Sequence, residues 1–390
     1  MQAAKIQKIQ WINQFEEAAI LLAHKGFAEV TFKGLGPVLG QVIVTLEGEA
    51  HRQRRSLEGQ LFVAALLQTQ ERELLPAIIE DSLQPYVVAG GGCLVQISQA
   101  VTSRVAARLI GLDTLEDPPL IGHWLGALVG GTSIKHPAHP TLTRRQAREL
   151  LYQNLIDKAI ARRHWLIQAY QAGQTRREDL PLDLITLLLL HPDQWTLSQV
   201  QAEAAFYAVA GIDTTATLMP HLMHGLWELS GQQAEYLTSF QDLSFLRSAA
   251  AEALRLHPVL PTLFRQATQA VTVSGKSFEA GEVVGLHLGK ANLDEKVFGP
   301  NSTEFKPLRS LKFGTRRAGL SFGGGRHLCM GRELALGTPE AGQEHKLFGE
   351  AALLAQALFR YRARPDPAHP VQAPQPGRRD AYQTYPILLG

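Results

Sequence analysis

The sequence has few cysteines, almost no net charge and no long hydrophobic run. Its 390 residues include only two cysteines, Cys93 and Cys329. Two cysteines cannot form a disulfide framework, so a reducing compartment is favoured. Lys and Arg total 38 against 36 Asp and Glu, a formal net charge of +2. Nucleic-acid binding requires clustered basic residues, and we therefore expect no nucleic-acid partner.

No segment resembles a membrane span or a secretion signal. Lys5 and Lys8 are followed by no apolar core of the kind found in signal peptides. The longest apolar run, Leu184–Leu190, is too short to cross a bilayer and is closed by His191 and Pro192. We expect a cytoplasmic protein with no membrane anchor.

Helical periodicity dominates what is present. Apolar residues recur every three or four positions in residues 51–69, 150–172 and 196–229. The period changes over residues 261–307, where Val271–Val273 and residues 283–286 indicate short strands. The sequence contains no internal repeat. We predict a mainly α, single-domain fold over residues 1–390, with a small β-rich portion at about 261–307.

The most informative segment is residues 322–331, FGGGRHLCMG. Three consecutive glycines let the backbone approach a flat group closely, because no Cβ intervenes. Cys329 follows, just before a predicted helix whose dipole should lower the thiol pKa. Such a thiolate suits a metal such as haem iron. Zinc is excluded because Cys93 is far away in sequence, but a buried structural cysteine remains an alternative.

A second segment, residues 210–215, places an acid beside an alcohol. Gly211, Asp213 and Thr214 are poor helix formers inside a long helical pattern, which predicts local unwinding. A Thr hydroxyl can also bond to a carbonyl one turn earlier. An acid next to an alcohol can deliver protons, although a tolerated kink explains the same residues.

Two charge motifs lie on predicted helices. Glu252 and Arg255 are three positions apart on one helix face, where they can pair. His51 and Arg55 are four positions apart, so two cationic donors can hold one carboxylate. Each motif taken alone is also typical of a solvated helix face.

Together and in this order, these segments resemble the cytochrome P-450 family. Residues 322–331 match the haem-binding signature F-G-x-G-x-H-x-C-x-G, and residues 210–215 are similar to the oxygen-activation segment A/G-G-x-D/E-T-T. The E-x-x-R and H-x-x-x-R motifs are also present. Residues 261–267 and 305–309 resemble two further segments of the family, each of which supplies an arginine. The resemblance covers roughly residues 47–336.

The resemblance implies haem b as cofactor and O2 as co-substrate, with Cys329 as the proximal iron ligand. Asp213 and Thr214 would relay protons during oxygen activation. The residues implied in cofactor binding are His51, Arg55, Arg265, Phe322, Gly325, His327 and Cys329; those implied in a structural network are Glu252, Arg255 and Arg309. We expect the substrate pocket to include Phe206, Ala210, Leu263 and Tyr385.

Two departures from the family pattern are visible. Only fifty residues precede His51, so the N-terminal region looks shortened. Residues 337–346 look inserted, and Gly337 and Pro339 should end the preceding helix near Leu336. The resulting loop would lie on the face where electron donors dock.

The resemblance implies a haem-thiolate monooxygenase, an oxidoreductase that inserts one oxygen atom from O2 into a small apolar substrate. Biosynthesis of a natural product is the expected context. Electrons would come from a separate ferredoxin or flavodoxin-type partner, because the chain has neither a cysteine cluster nor a flavin-binding signature. Two alternatives stay open: an oxidative coupling or peroxygenase enzyme on the same fold, and a non-catalytic haem-binding sensor.

Overall fold

The computed structural model describes residues 9–112, 118–129, 142–192, 195–232, 234–338, 346–374 and 380–390. Within them the helices are α1 (Phe15–Ala23), α2 (Gly36–Leu39), α3 (Gly48–Glu58), α4 (Ala64–Thr69), α5 (Leu75–Val88), α6 (Leu94–Ile110), α7 (Pro118–Val129), α8 (Arg144–Leu151), α9 (Asp157–Gln171), α10 (Leu184–Leu190), α11 (Leu197–Gln232), α12 (Leu243–Leu256), α13 (Leu288–Ala291), α14 (Glu295–Phe298), α15 (Arg332–Leu336) and α16 (Glu350–Arg360). The strands are β1 (Gln10–Ile12), β2 (Phe27–Glu29), β3 (Gly91–Cys93), β4 (Thr262–Ala267), β5 (Val271–Val273), β6 (Lys276–Phe278), β7 (Val283–His287), β8 (Arg364–Pro365) and β9 (Pro386–Leu388). The prediction of a mainly α fold is confirmed.

The longest helix, α11, runs through the hydrophobic interior and packs along α6. Thr196 begins it as a capping box: the Gln199 N–H donates to the Thr196 hydroxyl, and the Thr196 N–H donates to the Gln199 side chain. The helix predicted over residues 196–229 is therefore present with nearly the expected bounds.

The strands form three small sheets. The largest has the order β1-β7-β4-β2, with β1 parallel to β7 and the other pairs antiparallel. A second sheet pairs β9 with β3 and β8, and β5 pairs with β6 as a hairpin. The strands of the predicted β-rich portion lie within residues 262–287, and α13 and α14 follow. That portion is thus shorter than the expected 261–307.

Three hydrophobic clusters form the core. One lies among α5, α6, α12, α16 and the C-terminal half of α11. The second lies among the helices α7, α8, α9 and α10 and the N-terminal half of α11. The third fills the space between α1 and the four-stranded sheet. Because α11 contributes to two clusters, it fixes the helical layers relative to one another.

The helix after Cys329 ends where the sequence predicts. α15 stops at Leu336, and Gly337 follows with a φ of 69°. A Cβ at Gly337 would lie 2.2 Å from the Leu347 carbonyl oxygen, so the chain leaving α15 passes directly against the chain entering α16. The proposed insertion, residues 337–346, lies mostly outside the described residues.

A buried charge network joins α3 to α11. The Arg54 guanidinium pairs with Glu203 and lies 3.8 Å from Glu58, and both carboxylates are fully buried. The Tyr207 hydroxyl donates to Glu58 at 2.8 Å, and the Ile43 N–H donates to Glu203 at 3.0 Å. Two carboxylates thus share one guanidinium.

Burial sets the protonation of this network. Burial and the nearby Glu203 charge raise the pKa of Glu58 well above its usual value, and burial raises the pKa of Glu203 from 4.5 to about 7. The folded protein therefore keeps a proton on Glu203 that the unfolded chain has already released. The unfolding free energy contributed by this group falls as the pH rises from about 4.5 to about 7.

We expect Glu58→Gln to change the unfolding free energy at pH 7 by less than about 1 kcal/mol, because the amide mimics a protonated carboxyl. Arg54→Met should lower it by about 3–5 kcal/mol, because the buried Glu203 carboxylate loses its counter-charge. Denaturant unfolding followed by circular dichroism measures both. Equal destabilisation by the two substitutions would contradict a protonated Glu58.

Candidate functional site

The Cys329 loop lies between the large sheet and α15. The Cys329 N–H donates to the Phe322 carbonyl at 3.0 Å, which closes the loop on itself. The backbone N–H groups of Gly331 and Arg332 bond to the sulfur. Arg55 of α3 donates to the Leu328 carbonyl at 2.5 Å, so α3 holds the loop from the side.

The expected low pKa of the thiol is wrong. Burial raises the pKa of Cys329, and it outweighs the Gly331 N–H and the charges of Arg332 and Arg55, which lower it. The sequence indicated the helix terminus and the nearby cations, but it could not indicate how deeply the sulfur lies. A coordinated metal cation would reverse this balance.

Two surfaces of the candidate site are accessible. The surrounding protein desolvates the Cys329 sulfur, yet its side chain is exposed. Desolvation and exposure are compatible if the sulfur faces an internal space. On α11, Phe206, Ala210, Asp213 and Thr214 share one face that is exposed or half-buried, although buried residues flank it along the helix. These surfaces are typical of a cavity that receives a ligand.

The Asp213 segment differs from its prediction in one respect. α11 is continuous through these residues, so the expected unwinding is wrong. The expected back-bond is present: the Thr214 hydroxyl donates to the Ala210 carbonyl at 2.8 Å. Thr102 of α6 donates to the Ile212 carbonyl at 2.9 Å, so a neighbouring helix supplies a further hydrogen bond in place of unwinding.

His51, Arg55 and His327 come together beside the Cys329 loop. The imidazole rings of His51 and His327 lie 4.2 Å apart. His51 is 2% exposed, and among the described residues its Nδ1 atom has no hydrogen-bond partner. Burial and the charges of His327 and Arg55 lower the pKa of His51 to about 4, so it is neutral at pH 7 and not the second cation that its spacing suggested.

The prediction from the sequence did not include two carboxylates that lie in this region, Glu29 and Glu47. Arg265 pairs with Glu29, its cross-strand partner between β4 and β2. Glu47 accepts hydrogen bonds from Arg326 at 2.8 Å and from His327 at 3.2 Å. Glu47 lies four positions before His51, a spacing that could have drawn attention to it. Nothing in the sequence pairs Glu29 with a residue 236 positions away.

Glu47 is ionised at neutral pH. Burial raises its pKa, but hydrogen bonds from His327 and from the Glu29 N–H, together with the His327 charge, outweigh burial and lower the pKa to about 2. The region therefore contains fixed negative charge beside its cations.

Gly325 has a different neighbour from the one expected. Its φ is 63°, and a Cβ there would lie 2.6 Å from the Leu22 carbonyl oxygen and 2.7 Å from the Ala23 Cα. The end of α1 therefore requires glycine here, independently of any flat group. Phe322 is half-buried and packs against the helical core.

Glu252, Arg255 and Arg309 form one buried network. Arg255 donates to both Glu252 carboxylate oxygens at 2.7 and 2.8 Å, and Arg309 donates to the same carboxylate at 3.0 Å. The remaining Arg255 donors reach the carbonyls of Asn292 and Ser302, each at 2.7 Å. The three residues hold the surrounding loops together.

Three of the four proposed pocket residues lie in three separate hydrophobic clusters. Phe206 packs in the second cluster and Leu263 in the third. Tyr385 is 2% exposed in the first, and its hydroxyl lies 2.9 Å from His224 Nδ1. Ala210 alone of the four is exposed. Tyr385 is therefore a core residue, and the structure does not gather the four around one described cavity.

The donor set fits a haem. Cys329 offers a thiol that faces an internal space, with two N–H groups directed at the sulfur. His51 offers an unpartnered buried nitrogen, and Arg55 a half-buried guanidinium, where an anionic group can bind. A sulfur ligand for the iron and cationic or polar donors for the propionates are two features that can hold an iron porphyrin.

Comparison with known proteins agrees with this arrangement. The family model described as Cytochrome P450 matches residues 138–338, just over half of the chain. Cytochrome P450 83A1 of Arabidopsis thaliana is 32% identical over 164 residues, which is 36% of this chain and 33% of that protein. Biotin biosynthesis cytochrome P450 of Bacillus subtilis is 23% identical and covers 83% of this chain and 79% of its own. The chain spans a third or less of the first curated relatives that it matches.

Solved structures show the same fold. P450BioI in complex with an acyl carrier protein carrying hexadec-9Z-enoic acid has a TM-score of 0.72 at 21% identity, covering 97% of this chain and 92% of its own. CYP109E1 from Bacillus megaterium in complex with testosterone has a TM-score of 0.70 at 20% identity, covering 100% and 94%. None of the helices in the described ranges has the length and the continuous apolar surface that a bilayer span needs. The chain belongs to the cytochrome P450 family, whose members bind haem b and use O2.

Proposed function

We propose that the protein is a haem-thiolate monooxygenase that inserts one oxygen atom from O2 into a small apolar substrate. The observation that carries the proposal is the Cys329 sulfur, which the surrounding protein desolvates although its side chain is exposed, and which accepts the Gly331 and Arg332 N–H groups. A thiolate-ligated haem supplies activation of dioxygen when it is bound.

Each residue of the site has a defined task. Cys329 would ligate the iron, and the N–H groups of Gly331 and Arg332 would stabilise the negative charge of the sulfur. His51 and Arg55 would orient the cofactor through its propionates. Thr214 holds a proton on its hydroxyl beside Asp213, which supplies the next one from the exposed face of α11.

The substrate class rests on the α11 face and on the relatives. Phe206 and Ala210 present apolar surface next to Thr214. Structural neighbours include a protein from the biosynthesis of vancomycin-type antibiotics and one from microbial secondary metabolism. A role in natural-product biosynthesis follows by analogy, with electrons from a separate ferredoxin or flavodoxin-type donor. The Asp213–Thr214 pair favours O2 over peroxide as the oxidant.

Cys329→Ser should remove the red-shifted Soret band of the reduced, CO-bound protein, because a hydroxyl does not replace a thiolate ligand. The matched control is Cys93→Ser, since Cys93 lies beside Tyr385 in another sheet and should leave the spectrum unchanged. An unaltered band in Cys329→Ser would reject the proposed ligand.

Thr214→Ala should raise the peroxide released per NADPH consumed in a surrogate ferredoxin system, because the hydroxyl that holds the proton is lost. Thr214→Ser should restore coupling. Thr217→Ala is the matched control, because Thr217 makes the same back-bond to Asp213 one turn further along α11. Equal peroxide release per NADPH in Thr214→Ala and in the parent protein would reject the proton relay.

Glu47→Gln should slow haem transfer to apomyoglobin by about fivefold, because one carboxylate that competes for Arg326 and His327 is removed, a charge effect of about 1 kcal/mol. Glu49→Gln is the control, since Glu49 pairs with Arg52 on the surface of α3, two positions after Glu47. Faster transfer from Glu47→Gln would show that Glu47 positions these cations for the haem instead of competing with it.

A further inference from the structure

Two histidines and an aspartate from three separate elements meet outside the proposed haem site. His221 lies on α11, eight positions after Asp213. His257 follows the last residue of α12, and Asp380 lies in the C-terminal segment that leads to β9. One ligand atom from each of the three lies within 4.8 Å of the other two.

The contacts place two imidazole nitrogens close to one carboxylate. His257 Nδ1 lies 2.7 Å from one Asp380 carboxylate oxygen, and His221 Nε2 lies 3.8 Å from the other. In a tetrahedral zinc site, ligand atoms about 2.0–2.2 Å from the metal are roughly 3.3 Å apart. The two observed distances bracket this value. Because each histidine faces a different oxygen of one carboxylate, a rotation of that carboxylate adjusts both distances together.

The fold presents these side chains for local reasons. Pro258 prevents α12 from continuing, so His257 leaves the helix with φ −122° and ψ 66°. Its imidazole then stacks on that of His221 at 4.0 Å with 14° between the planes. Stacked rings cannot both direct an in-plane nitrogen lone pair at one ion, so metal binding requires the half-exposed His257 ring to rotate off that of His221.

The site combines a buried anchor with an open side. The His221 side chain is 2% exposed, whereas those of His257 and Asp380 are 39% and 38% exposed. A metal ion can therefore enter from solvent and keep a water as its fourth ligand. Two imidazoles, one carboxylate and a water form a donor set that zinc accepts and magnesium does not favour.

We propose that His221, His257 and Asp380 bind a divalent zinc-class metal ion, separate from the haem, that ties the C-terminal segment to α11 and α12. The competing arrangement is a metal-free cluster held by hydrogen bonds, in which His221 pairs with the Asp380 carbonyl at 3.0 Å and His257 with its carboxylate. The two arrangements differ in one measurable property, which is stoichiometric metal binding.

The test uses the full-length, haem-containing protein without an affinity tag, stripped of loosely bound metal with a chelator. Zinc sulfate is titrated in competition with a chromophoric chelator, and magnesium chloride serves as the comparison ion. We expect one zinc ion per chain, a dissociation constant of about 1 μM or tighter, a higher thermal midpoint with zinc, and no effect of magnesium. The absence of saturable zinc binding below about 100 μM would overturn the proposal.

Asp380→Asn and His257→Gln should each weaken zinc binding by at least about tenfold. The matched control is His369→Gln, because His369 and Asp366 form a pair with the same 2.7 Å contact in the C-terminal region, without being part of this cluster. The zinc affinity of His369→Gln should stay within about twofold of that of the parent protein, as expected when the changed residue is not a ligand. Unchanged affinity in Asp380→Asn, or equal loss in His369→Gln, would reject the site. The Soret band should be the same in all variants, which separates this result from any failure of haem binding.

Discussion

The candidate site depends on one buried guanidinium. Arg255 is fully buried, and Glu252 neutralises it through two hydrogen bonds. It also donates to the carbonyl of Asn292, whose side chain donates to the Ser321 hydroxyl at 2.9 Å. Phe322 and the rest of the Cys329 loop follow directly. Loss of one partner of such a pair leaves an uncompensated buried charge and costs about 3–5 kcal/mol. The network under the loop therefore fixes the position of the sulfur, although it touches no reacting group.

A second constraint is the balance of charge beside the loop. Arg265 and Arg326 are already paired with Glu29 and Glu47, so haem propionates would enter a region that contains its own carboxylates. Arg55, by contrast, bonds to a carbonyl and carries no carboxylate partner among the described contacts. Cofactor binding must then either redistribute the paired cations or rely on Arg55 and the unpartnered His51 nitrogen. The site can select a dianionic ligand only if Glu29 and Glu47 give up part of their pairing with Arg265 and Arg326.

The sequence predicted the motifs better than their environments. Local patterns sufficed for α11, for β5 and for the end of α15 at Leu336, because capping, alternation and glycine act over a few residues. They did not suffice for the Cys329 pKa, which depends on burial by distant segments. The pairing of Glu29 with Arg265 and the contact of Gly325 with Leu22 also join residues far apart in the chain. Such contacts follow from the fold and have no local signature.

α11 connects the candidate haem site with the proposed metal site. Its central face carries Asp213 and Thr214, and His221 lies about two turns further along the same helix, directly after Pro220. The C-terminal segment that carries Asp380 is held independently, because β9 pairs with both β3 and β8 and the Leu94 N–H donates to the Tyr385 carbonyl at 2.8 Å. Transmission of a signal between sites requires an element with two alternative arrangements. Both ends of this connection are fixed by packing and backbone pairing, so a metal ion at His221, His257 and Asp380 would stabilise the existing arrangement and would not switch it.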